Sequence, residues 1–139
     1  MEKENRRICL DTDIIIDYLR GAKEIETLIE KLMYTFDEIV ITTITIYELF
    51  AGVEYSGGKG RDKIEAVIKV CNTILPFDEK ASRESSRISS ELKRIGQQIG
   101  VEDEFIAAIC KTSGACLLTR NVKHFHRIKG LKIIDLNEI

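Results

Sequence analysis

Short runs of β-branched and apolar residues alternate along this chain with longer segments whose apolar positions recur at steps of three and four. That alternation constrains the fold more than any other feature. Strands separated by helices bury both faces of their layer when they run parallel with helices packed above and below. The strands are expected at Arg7–Asp11, Glu38–Thr42, Thr73–Phe77, Ala115–Thr119 and Lys132–Leu136. Pro76 cannot donate to a ladder, so its segment reads as an edge strand.

Between the strands, Ile14, Ile15, Tyr18 and Leu19 share one helical face, and Ile25, Leu28, Ile29, Leu32 and Met33 share another. A third helix is expected from about Ile46 to Tyr55, broken by Gly57, Gly58 and Gly60, with Arg61–Cys71 resuming the period. The plainest spacing is Ala81, Ser85, Ile88, Leu92, Ile95 and Ile99, ended by Gly96 and Gly100. A last helix runs from near Glu102 to about Thr112, where Gly114 stops it. The expectation is an α/β domain spanning 1–139, with a central, mainly parallel sheet of four to five strands flanked by helices. Such sheets bind ligands beyond the carboxyl ends of their strands.

Composition supports this and narrows the partners. At 139 residues and 44% hydrophobic the chain buries a real core without a staple. Its 21 basic and 23 acidic side chains leave a formal charge of −2, so any polyanion site must come from local clustering. Cys9, Cys71, Cys110 and Cys116 form no CxxC pair and read as reduced core residues. The charged start, Met1 to Arg7, lacks a signal peptide's apolar stretch, and no run nears the ~18 apolar residues of a membrane span. A cytoplasmic protein without membrane contact is expected.

The chemistry lies in scattered acids. Asp11 closes the first strand in Leu10-Asp11-Thr12-Asp13, where either acid also suits a helix cap. Glu48 stands in Thr45-x-x-Glu48, a capping-box spacing that accounts for it without chemistry. Asp103 is the middle of three acids opening a helix, where the dipole favours negative charge. Asn121 follows the Ala115–Thr119 strand and is ordinary in a turn. Taken together, these oxygen-bearing groups sit at the ends of two strands and the starts of two helices. Oxygen donors select hard cations such as Mg²⁺ or Mn²⁺. Carboxylates packed together without a cation would repel one another.

At these residues the chain resembles the PIN-domain family, in particular its VapC branch of toxin ribonucleases. LDTDIIIDYL (Leu10–Leu19) resembles the opening motif, whose acid falls on Asp11. ITTITIYELFAGV (Ile41–Val53) resembles the second, with its Glu at Glu48. IGVEDEFIAAIC (Ile99–Cys110) resembles the third, with its Asp at Asp103, and LLTRNVKHFHRIKGLKII (Leu117–Ile134) the last. Many PIN domains carry a fourth acid where this chain has Asn121, and Thr119 matches the accompanying hydroxyl. The resemblance implies a PIN-like three-layer α/β/α fold and a Mg²⁺- or Mn²⁺-dependent endoribonuclease leaving 5′-phosphate and 3′-hydroxyl ends. It also implies a homodimer and a cognate VapB-like antitoxin.

On this reading Asp11, Asp103 and Glu48 hold the metal, with Glu48 also able to hold a water or act as general base. Asn121 would contact metal or phosphate. Thr12, Asp13, Thr119, Arg120 and Lys123 would support the site or position phosphates, Asp13 as a cap or supporting group and Asp17 as an exposed or ion-paired acid. The run Arg120–Ile134 carries five cations and no acid, as an RNA-facing edge would, and His124 and His126 read as surface or phosphate-contacting groups. Arg61, Lys63 and the Gly57–Gly60 loop suggest a second rim. An antitoxin groove is expected from Tyr18, Leu19, Leu28, Phe50 and Val53. Two other readings compete. A catalytically inactive binding module would keep the fold and the partner contacts. A haloacid-dehalogenase-type phosphatase would use Asp11 as nucleophile, but it needs an acidic pair where Asn121-Val122 stands.

Overall fold

The computed structural model describes residues 6–138. The charged start up to Asn5 lies outside the described residues. Five strands form one sheet: β1 (Arg7–Leu10), β2 (Glu38–Thr42), β3 (Thr73–Leu75), β4 (Ala115–Thr119) and β5 (Ile133–Asp135). Their order is β3-β2-β1-β4-β5 and every pairing is parallel. The expected sheet was mainly parallel; the observed one is wholly so. The helices are α1 (Thr12–Leu19), α2 (Lys23–Thr35), α3 (Thr43–Tyr55), α4 (Arg61–Val70), α5 (Glu79–Arg94), α6 (Val101–Ser113) and α7 (Val122–Phe125).

The period of two along each strand builds two cores. Ile8 and Leu10 of β1, Ile39 and Ile41 of β2 and Leu118 of β4 face one side, packed against Ile14, Ile15, Ile25, Leu49 and Ile64 from α1 to α4. Cys9, Val40 and Leu117 face the other, against Ile88, Leu92, Ile106, Ile109 and Phe125 of α5, α6 and α7. Helices therefore cover both faces in three layers. Ala107 and Ala108 are wholly buried, small enough to bring α6 close to the sheet.

Several local expectations shift. β3 stops at Leu75, and Pro76 lies just beyond this edge strand rather than inside it. α3 begins three residues earlier than its apolar period suggested. Its N-cap is Thr42, whose hydroxyl accepts from the Thr45 backbone N–H at 3.1 Å, so Thr45-x-x-Glu48 is not a capping box. α5 ends at Arg94, with Gly96 in the left-handed region just past it. α7, a single turn, was not foreseen. All four cysteines are free, with Cys9 and Cys110 buried. Among the described residues no helix is long and apolar enough to cross a membrane.

The strand order reverses around β1, which pairs with β2 on one side and β4 on the other. The carboxyl ends of β1, β2 and β4 thus open on one edge. Each is followed at once by a helix or turn bearing an expected site residue.

Candidate active site

Asp11 leaves β1 and caps α1. Its Oδ1 accepts from the Thr12 N–H at 2.8 Å and its Oδ2 accepts from the Thr119 hydroxyl at 2.7 Å. The residue is only 5% exposed. Burial pushes its carboxyl up to about 6, against the pull of those two donors, and the charges of Asp103 and Asp13 push the same way. The cap is Asp11 and not Asp13, which is exposed.

Glu48 takes its place through threonines. The Thr12 hydroxyl donates to Glu48 Oε1 at 2.8 Å, which leaves Thr12 to accept from Thr45, 2.9 Å away. The Thr45 oxygen in turn accepts from Thr42 at 3.4 Å. Three hydroxyl protons therefore point along one line that ends on a carboxylate. Burial raises the Glu48 pKa, Thr12 opposes the shift, and Asp103, Glu102 and Asp13 add to it.

Asp103 stands in the first turn of α6, where Gly100 caps the helix without a side chain. It is half-buried, with its pKa raised first by burial and restrained by His124, whose Nδ1 lies 3.6 Å from Oδ2. Asn121 caps α7. Its backbone N–H donates to Thr119 Oγ1 at 2.9 Å, and its Nδ2 stands 2.8 Å from His124 Nδ1. An amide NH₂ can only donate, so Nδ1 either accepts from Asn121 or, when it carries a proton, donates to Asp103, and Asn121 Oδ1 has no partner among the described residues. His124, read from sequence as a surface or phosphate-contacting group, has a side chain 42% exposed and also touches Asn121 and Asp103.

Asp11, Glu48 and Asp103 come from different parts of the chain, and the Asp103 charge reaches both of the others. They share one edge, yet among the described residues no three acids, imidazoles or thiols converge tightly enough to form a finished metal cage. The donor chemistry nonetheless suits a hard cation: carboxylate oxygens and one amide oxygen, each raised acid destabilised by burial and by its neighbours' charge.

The remaining expected groups divide. Arg120 Nε donates to Asp17 Oδ2 at 2.7 Å, so Asp17 is ion-paired. Lys123 is exposed. Arg127 is committed to structure, donating from Nη1 to the backbone oxygens of Gln98 at 3.3 Å and Gln97 at 3.4 Å. Arg61 pairs with Glu54 at 2.6 Å and lies over the Phe50 ring. Lys63 lines an open cleft of about 310 Å³ with Tyr18, Leu19, Ala66, Val67 and Val70. The expected partner groove needs correction here. Leu28 and Val53 are core residues at 7% and 2% exposure, so the apolar cleft lies between Tyr18 and Leu19 on one side and α4 on the other. Sequence reasoning missed the part Thr42 and Thr45 play in the hydroxyl line behind Thr12. The threonine-rich run Thr42-Thr43-Ile44-Thr45 was the available signal for it.

The five-strand, wholly parallel sheet flanked by helices is PIN-like, and the PIN domain family profile matches residues 8–131. The chain is 33% identical over 135 residues to Ribonuclease VapC1 of Rickettsia felis, covering 94% of this chain and 96% of that one. It is 29% identical to the tRNA(fMet)-specific endonuclease VapC of Salmonella typhimurium, over 93% of this chain and 97% of that one. The solved structure of DNA-bound VapBC from Salmonella typhimurium superposes with a TM-score of 0.83 at 28% identity, covering 94% and 98% of the two chains. The chain belongs to the PIN-domain family, within its VapC toxin ribonuclease branch.

Proposed function

We propose that this chain hydrolyses RNA phosphodiester bonds at the edge formed by Asp11, Glu48, Asp103 and Asn121, with Mg²⁺ or Mn²⁺. The observation that carries the reading is the placing of the acids: Thr12 bonds Asp11 through its backbone N–H and Glu48 through its hydroxyl, at the edge where Asp103 opens α6. Each of the three acids is raised by burial, and the Asp103 charge raises the other two. A fold gains nothing from such an arrangement unless a cation enters it.

Asp11 and Asp103 would hold the ion, with Glu48 and the free Asn121 Oδ1 beside it. Bound there, it would activate water and neutralise charge on the scissile phosphate. Glu48 keeps one oxygen free of the Thr12 bond, and its raised pKa suits it to take a proton from the attacking water. Thr119 fixes Asp11 while accepting from the Asn121 N–H, so one hydroxyl sets the spacing between the β1 and β4 ends. Arg120 and Lys123 supply positive charge for RNA phosphates.

Incubation of RNA with the chain in Mg²⁺ or Mn²⁺ tests this. Cleavage that stops with EDTA and is absent in Asp11→Asn is expected. Cleavage no faster than that variant would instead favour the inactive binding module, to which the neutral Asn121 lends its one argument. A VapB-like antitoxin seated in the apolar cleft beside Tyr18 and Leu19, and a homodimer, complete the proposal. Solved relatives are named as VapBC complexes.

A further inference from the structure

Next to the acids lies an open cleft of about 470 Å³ lined by Asp13, Ile16, Asp17, Arg20 and Arg120. Its position follows from the sheet. Arg120 is the residue after Thr119, whose hydroxyl is bonded to Asp11, and Asp13 lies two residues after Asp11. The cleft therefore continues the acidic edge outward along α1. Arg20 caps the C-terminus of α1 and, among the described residues, has no side-chain partner. Arg120 is anchored through Nε to Asp17.

We propose that Arg20 and Arg120 form a subsite for the RNA phosphate adjoining the scissile one, with Asp17 as the group that aims Arg120. This rests on the ribonuclease reading above. The carboxylate occupies only Nε, which leaves both Nη amino groups to grip two phosphate oxygens at once. An arginine already held by a carboxylate loses less freedom on binding than a free one. Asp17 and Arg120 offset one another, so Asp13, whose charge reaches Asp11, is the uncompensated acid of the cleft and Arg20, at the far end of α1, the uncompensated cation. Negative charge is thus concentrated toward the acids and positive charge away from them. A strand crossing the edge meets this polarity with its reacting phosphate on one side and the neighbouring phosphate on the other. With Arg127 tied to backbone carbonyls, these two guanidinium groups are the arginines best placed to do this.

The test is the salt dependence of binding to a short fluorescein-labelled single-stranded RNA of mixed sequence, followed by anisotropy, together with KM and kcat for RNA cleavage. Each single-strand phosphate contact contributes about 0.7 to the slope of log K against log salt. The Arg20→Gln/Arg120→Gln double variant is expected to lower that slope by about 0.7 and to raise KM more than it lowers kcat. Arg120→Lys keeps the charge and loses the fork, so its slope should hold while affinity drops. Asp17→Asn should weaken binding less than the double variant does. A wild-type chain that cuts RNA while the double variant keeps slope and KM overturns the subsite alone. A wild-type chain that neither binds nor cuts RNA overturns the ribonuclease reading with it. Unchanged thermal midpoints in the variants separate either result from unfolding.

Discussion

The Thr12 hydroxyl donates to Glu48 Oε1 at 2.8 Å, joining the start of α1 to the second turn of α3 across 36 residues of chain. Thr12 stands at the end of a line of hydroxyls from Thr42 through Thr45. Aligned hydrogen bonds polarise one another, so the proton offered to Glu48 is a stronger donor than an isolated threonine would give.

Replacing that donor tests the arrangement. Thr12→Val keeps the shape, deprives Glu48 of its partner and leaves the Thr45 hydroxyl without an acceptor. A stability loss of about 1–3 kcal/mol in urea unfolding is expected, with RNA cleavage slower by about a hundredfold. Wild-type cleavage in this variant would remove Glu48 from the proposed chemistry.

Asp11 makes the native state sensitive to pH in a defined direction. Its carboxyl ionises at about 6 in the fold and near its ordinary 3.8 when unfolded. Below the lower value both states hold the proton. Between the two only the unfolded chain releases it, so native stability falls as pH rises, and above about 6 the loss is complete. The penalty at neutral pH is roughly 2–3 kcal/mol. Asp11→Asn should therefore be more stable than wild type at pH 7 in EDTA, and the difference should disappear near pH 4. Parallel thermal melts of the two proteins give the answer. A wild type that stays the more stable of the two at pH 7 contradicts the buried-charge account.

The same penalty is what a cation would remove. At a hundred times its dissociation constant, Mn²⁺ should stabilise the wild type by about 2.7 kcal/mol. Asp11→Asn and Asp103→Asn should lose most of that gain. Equal Mn²⁺-induced shifts in all three would place the ion elsewhere.

Asn121→Asp adds the charge that this position carries in many PIN domains. A carboxylate cannot donate, so His124 Nδ1 would have to carry a proton toward it instead of accepting one. Tighter Mn²⁺ binding, by several-fold in calorimetry, is expected. An unchanged affinity would show that residue 121 does not face the ion.

Phe125 is fully buried in the one-turn α7 and packs with the second core behind Asn121 and His124. Phe125→Ala should cost about 3–5 kcal/mol in denaturant unfolding. A loss below 1 kcal/mol would mean that α7 is not pinned by its core side.

How much of this was readable in the sequence depended on period. The strands at Glu38–Thr42 and Ala115–Thr119 were expected at their observed bounds, and α5 and α6 within a few residues, because long apolar repeats and flanking glycines mark them. α7 is four residues long and carries no period to detect. α3 began early because Thr42 outcompeted Thr45 as its cap, a choice decided by the sheet edge and not by the local sequence. Asp11, Glu48 and Asp103 each had a capping or dipole role that explained them singly, and the family resemblance is what joined them. The hydroxyls that hold Asp11 and Glu48 came from tertiary contacts with sequence separations of 33, 36 and 108, which no local pattern encodes.

The place of β1 in the sheet has a further consequence. The first of the five described strands lies in the middle, and its second neighbour, β4, follows it by more than a hundred residues. Thr119 lies on that strand, so Asp11 gains this hydroxyl partner only through a contact spanning 108 residues. A nascent chain halted before β4 would leave the central strand half-paired. The long-range pairing of β1 with β4 is therefore the step that closes this edge, and any shorter stretch of chain lacks the Thr119 clamp on Asp11.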